Sequence, residues 1–149
     1  HLSIMTTEPA VSFEEWRREL LRMNKLWSKI IWEKYTSQNL VSIDLSNMKI
    51  DDEGAKVISL GIFNLTTLNL SNNNIGNEGA IALSKKTSLK NLDLGCNNNI
   101  SDEGAVALAN HPTLTDLSLN HNNVGLAGAK ALAKSTTLIS LVMQWNKVG

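Results

Sequence analysis

The chain has 149 residues, zero formal net charge and 42% hydrophobic residues, which suits one soluble domain able to bury most of its apolar surface. Zero net charge argues against a surface built to neutralise phosphates, setting aside nucleic acid and anionic membrane as main partners; apolar runs of only a few residues set aside a bilayer span. One cysteine, Cys96, permits no intrachain disulfide and fits a reducing, intracellular compartment.

At the start, no basic region is followed by a long apolar one, so no secretory signal is expected. His1 to Ile4 precede Met5, which leaves the native start open. Residues 12–35, SFEEWRRELLRMNKLWSKIIWEKY, predict one long amphipathic helix. Ser12 and Glu15 match a capping box. Phe13, Trp16, Leu20, Met23, Trp27 and Ile30 recur at spacings of three and four. Leu21, Leu26, Ile31, Trp32 and Tyr35 widen the apolar surface beyond one stripe. Residues 1–39 are expected to be a tail and a helix that caps the remainder of the chain. Part of the same face could bind another helix or a second copy of the chain. A membrane-surface helix is a weaker reading, since the basic residues from Arg17 to Lys34 are partly offset by Glu14, Glu15, Glu19 and Glu33.

From residue 40 the chain repeats. The first leucine of each unit is Leu40, Leu65, Leu89, Leu114 or Leu138, at spacings of 25, 24, 25 and 24. Gly-Ala pairs recur at 54, 79, 104 and 128. Five units, the last incomplete, at such a period mean a solenoid. Within LxxLxL the leucines alternate with polar residues, so they face one side of a short strand. Leu68, Leu70, Leu92, Leu94, Leu117 and Leu119 should point inward, in strands that pair in parallel. Asn73, Asn97, Asn122 and Asn146 end the strand motif, where an amide can donate to and accept from turning backbone. They are read as a buried structural ladder. Met48 takes that place in the first unit. The third unit, GCNNNIS, has one extra residue and should bulge, with spacing favouring Asn97 over Asn98 for the ladder.

A helix succeeds each strand. Asp51, Asn77, Ser101 and Gly125 lie near its start, where short polar residues cap. Glu53, Glu78 and Glu103 suit its positive end. Ala55, Ala80, Ala105 and Ala129, with Ile58, Leu83, Leu108 and Leu132, form the inner face. Glycine at each helix start allows close approach to the neighbouring unit. Helices outside and strands inside curve the stack, leaving the sheet concave.

Over residues 40–149 the pattern LxxLxLxxNxI resembles the leucine-rich repeat family. The tail IGNEGAIALS resembles its ribonuclease-inhibitor-like class, and GAVALA and GAKALA are similar to GALA-type repeats of bacterial effectors. The resemblance implies an α/β, right-handed solenoid with convex helices, and a non-catalytic virulence protein delivered into host cytoplasm to bind a host protein. GALA-type effectors join their repeats to an F-box, which implies an alternative role as substrate-recognition arm of a ubiquitin ligase. Residues 8–39 read as one long helix where an F-box needs several short ones. A purely structural spacer is a third reading.

Function should sit on side chains that the core does not claim. The candidate partner-binding residues are Asp44, Asn69, Asp93, Asp116, Ser118, Asn120, His121, Val142, Gln144 and Trp145. No lysine or arginine occupies an outward strand position, so a mildly basic protein surface is the natural complement. Trp145, with Val142, Gln144 and His121, is the best aromatic anchor. Cys96 and His121 hold matching places one strand apart, about 5 Å, but no oxyanion site or cleft accompanies them. Asp93 and Asp116 are a conceivable carboxylate pair with nothing to position a substrate. There is no Gly-rich phosphate loop and no set of metal ligands. No catalysis, metal or cofactor is expected. At the C-terminal end Leu141, Met143 and Val148 should leave an apolar edge, read either as the mark of a fragment or as a second place for self-association.

Overall fold

The computed structural model describes residues 11–37, 40–62 and 64–148. Its elements in chain order are α1 (Phe13–Arg22), α2 (Leu26–Ser37), β1 (Ser42–Asp44), α3 (Asp52–Leu60), β2 (Thr67–Asn69), α4 (Asn77–Leu83), β3 (Asn91–Asp93), α5 (Asp102–Ala109), β4 (Asp116–Ser118), α6 (Leu126–Ala133) and β5 (Ser140–Val142). The strands form one open parallel sheet in the order β1-β2-β3-β4-β5. Ile43, Leu68, Leu92, Leu117 and Leu141 stand side by side across it. One such residue per strand faces the helices, and Leu45, Leu70, Leu94 and Leu119, just past the strands, are wholly buried. A three-residue strand cannot bury a core alone; the row of leucines from neighbouring coils completes it. Strands repeat at about 4.8 Å and helices need 8–10 Å, so the stack bends with the sheet inside.

The turn after each strand is held by an asparagine side chain that ties two coils together. Asn97 accepts from the Ile75 amide (2.9 Å) and donates to the carbonyls of Leu70 (3.1 Å) and Leu94 (2.9 Å). Asn73, Asn122 and Asn146 repeat the pattern, reaching back to Leu45, Leu94 and Leu119. The first three are buried and Asn146, on the last coil, is half-buried. Among the described residues no strand precedes that of Met48, and the Met48 amide is itself held by Asn73 (3.0 Å). The additional residue of the third coil makes a bulge. Asn98 is exposed with φ 70°, while Asn99 pairs with Gly76 of the coil before.

Helix capping departs from the sequence reading. Asp51 caps its own helix through the Gly54 amide (3.0 Å). Later helices are capped from the preceding coil. Asp52 accepts from Gly76 and Gly79, Asn77 from Ser101 and Gly104, and Asp102 from Gly125 and Gly128, all at 2.7–2.9 Å. Ser101 makes no side-chain cap of its own helix, and Asn77 is the first helical residue rather than the cap. The glycines permit this geometry. A Cβ on Gly104 would lie 2.8 Å from the Asn77 Oδ1 and 3.1 Å from the Ala80 Cβ.

The N-terminal cap is two helices, not the single one expected. The capping box of Ser12 and Glu15 starts α1. Asn24, at φ 47°, ends it, and Ser28 then takes the Lys25 amide at 2.9 Å to start α2. The reason is reach. Trp16 and Trp27 would stand about 16 Å apart along a continuous helix, whereas the fold-back sets both on the first coil. Trp16 lies over Gly61 and donates from Nε1 to the Val57 carbonyl (3.0 Å); Trp27 lies over Gly54. Leu20 and Ile31 join them in the core. Ile30 is only half-buried, and Phe13 is exposed in an aromatic cluster with Trp16, Trp32 and Tyr35.

Candidate functional site

Alternation along β1 to β5 leaves one side-chain set facing away from the core. Its charged members are Asp44, Asp93 and Asp116. Several candidates are partly engaged in turning the chain. Asp44 accepts from the Ser46 amide (2.9 Å), Asn69 from Ser71 (2.9 Å) and Asp93 from Gly95 (2.9 Å). Asn120 reaches the next coil, accepting from the Gln144 amide (2.8 Å). The backbone and hydroxyl hydrogen bonds from Ser46 hold the Asp44 carboxyl below its usual range. Asp116 accepts from the Thr115 hydroxyl (3.0 Å).

Register sets Asp93 beside Ser118 and Asp116 beside Asn91, so the two aspartates are diagonal, not directly paired. They share a shallow depression of about 240 Å³ with Asn69, Ser118, Ser140 and Val142. Ser118 is half-buried; Val142, Gln144 and Trp145 are exposed.

A second row lies at the rim, three residues beyond the last residue of each strand. Asn47, Asn72, Cys96, His121 and Trp145 all have left-handed backbones, φ 54–60°. Each of the first four gives its amide to a carbonyl of the next coil. Asparagine enters this region readily; for other residues with a Cβ it costs roughly 1–2 kcal/mol. Asn72 donates to the Asn47 side chain. The two rings of the later coils stack instead, with centroids 5.6 Å apart and planes 12° from parallel. Trp145 is 72% exposed. Sequence reading found Trp145 and His121 but missed their backbone; asparagine recurring at 47 and 72 was the available signal. The His121 ring lies against Trp145 of the following coil. Among the described residues, no three His, Cys, Asp or Glu side chains converge to hold a metal ion.

The turns after the helices carry a second set of inter-coil bonds that sequence reading also missed. Lys86 is buried, donates from Nζ to the Gly61 carbonyl, and has its pKa pushed down to about 8 by desolvation. His111, one coil on, uses Nε2 on the Lys86 carbonyl (2.9 Å) while Nδ1 faces the amides of Thr113 (3.2 Å) and Leu114 (3.1 Å). This pattern calls for a neutral ring with its proton on Nε2, and burial lowers the His111 pKa accordingly. Both side chains bind the stack together and lie away from the sheet face.

Among the described residues, no helix is long and apolar enough to cross a membrane. A family model described as Leucine Rich repeat matches residues 36–59, 62–84, 85–109 and 110–133, more than half of the chain. No curated protein matches it.

Proposed function

Since the chain belongs to the leucine-rich repeat family, we propose that it is a non-catalytic recognition module that binds a protein partner on its concave sheet face. The observation that carries this reading is the lattice of outward side chains held rigidly by the asparagine ladder. Rigid presentation limits the ordering entropy lost on binding. With three aspartates and no lysine or arginine at outward strand positions, the face suits a mildly basic partner surface. The candidate contacts remain those named from the sequence, from Asp44 to Trp145.

The likeness of GAVALA and GAKALA to GALA-type repeats favours a bacterial effector acting on a host protein inside the host cell. The ligase-arm alternative gains one point. The helical segment consists of two short helices, closer to the several that an F-box needs than one long helix is. Their Trp16, Leu20, Trp27 and Ile31 are, however, buried as the solenoid cap. Binding to a ligase adaptor by the full chain separates the two.

The main test is photo-crosslinking to host lysate from Ser118, on the sheet face, and from Val106, exposed on the helix face. Capture through Ser118 alone, lost in an Asp93→Lys, Trp145→Ala double variant, is the expected result. Capture through Val106, or equal capture by the double variant, moves the site off the sheet.

A further inference from the structure

The fold itself does not require a ring at position 145. The equivalent backbone in the first two coils carries asparagine, the residue best suited to φ near 57°. Trp145 is largely exposed, lies outside the buried core, and rests on His121 almost face to face. Strained backbone that holds a large exposed side chain and stabilises no core is a mark of function.

We propose that the Trp145–His121 stack receives an arginine side chain on an extended segment of the protein partner. This inference rests on the recognition reading above and names the chemistry of its anchor. The guanidinium lies flat on the open face of the indole, which His121 holds from the other side. A ring already fixed on one face loses little freedom when a ligand covers the other. Three features favour arginine. A planar, weakly hydrated cation stacks on an aromatic plane better than a compact ammonium does. The charged outward positions of the neighbouring strands are all aspartates, so the sheet face complements a cation. Among the described outward strand positions Val142 is the one apolar residue, enough for an aliphatic stem but too little for a partner's own aromatic or aliphatic cluster.

The probe is a random twelve-residue peptide library, selected on the full chain and counter-screened on Asp93→Lys. Peptides that need the sheet face should be enriched in arginine. Replacing that arginine with citrulline, which keeps the shape and removes the charge, should weaken binding by about tenfold, and lysine by about threefold. Trp145→Asn should weaken it by about tenfold too. The variant restores the residue of the first two coils at this backbone, so its unfolding midpoint should not fall, which separates lost recognition from lost structure. Sheet-face peptides indifferent to citrulline or to Trp145→Asn would overturn the arginine anchor and leave the recognition reading standing. If every selected peptide bound wild type and Asp93→Lys alike, the sheet-face reading would fail, and the anchor with it.

Discussion

Buried polar side chains of the repeats work between coils, and His111 shows what that implies for pH. Its Nδ1 must stay bare to accept from Thr113 and Leu114, while Nε2 donates to Lys86. A proton added at Nδ1 would face two amide donors in a desolvated site. The folded pKa therefore lies below the ordinary 6.5. By linkage, the unfolded chain takes up the proton first as pH falls. The contribution of His111 is complete above pH 6.5 and is lost as pH drops through the depressed value. Urea midpoints should fall between pH 7.5 and 5 in wild type and fall less in His111→Gln, whose amide can still donate to Lys86. Equal slopes would refute the assignment. Nothing in the sequence sets this histidine apart from the other two, because its role depends on carbonyls a full coil away. Asn97 was different. Its place in a repeated motif separated it from Asn98, and the structure gives it four hydrogen bonds to backbone groups.

At the scale of the element, each helix from α4 to α6 begins on a side chain of the helix before it. Local rules assign the cap to the residue just before the helix, which would make Ser101 the cap of α5. Its hydroxyl instead accepts from Asn77 Nδ2 (2.8 Å), and Asn77 supplies the cap. Asp102 in turn caps α6. Asp102→Ala should therefore cost about 1 kcal/mol by freeing the Gly125 and Gly128 amides. Ser101→Ala should cost less than about 0.5 kcal/mol. Denaturant unfolding of the two variants decides the matter, and the reverse order would return the cap to Ser101. Strand and helix positions were legible because leucine alternation and the Gly-Ala pairs encode them locally. The capping partner was not, since Asp52, Asn77 and Asp102 act about one repeat period away. Leu126 holds the corresponding place in α6, so the series of capping oxygens stops there.

For the whole molecule, the decisive contact is between the cap and the first coil. Trp16 occupies space that a side chain on Gly61 would need: an added Cβ would fall 1.9–2.3 Å from three of its indole atoms. Trp16→Ala should cost about 3–5 kcal/mol. Gly61→Ala should approach it, because the ring must leave, and the double variant should cost far less than the sum. Equilibrium unfolding of the three chains checks this; additive losses would mean the ring and the glycine act independently. The same contact explains why the N-terminal segment is two helices. Its apolar period allows one continuous helix, while Asn24 and Ser28 supply a local stop and start that permit a break without requiring one. Packing requires it, because only a fold-back brings Trp16 and Trp27 together onto one coil end.

The amino-acid sequence by itself determined the repeat, the facing of its leucines and the family, since a period of 24 or 25 residues is printed in residue types and each unit obeys local rules. Tertiary structure alone decided which oxygens cap the later helices, that the N-terminal cap folds back on the first coil and how His111 is protonated. Those features depend on what one coil meets in the next, and no residue's own type or near neighbours contain that.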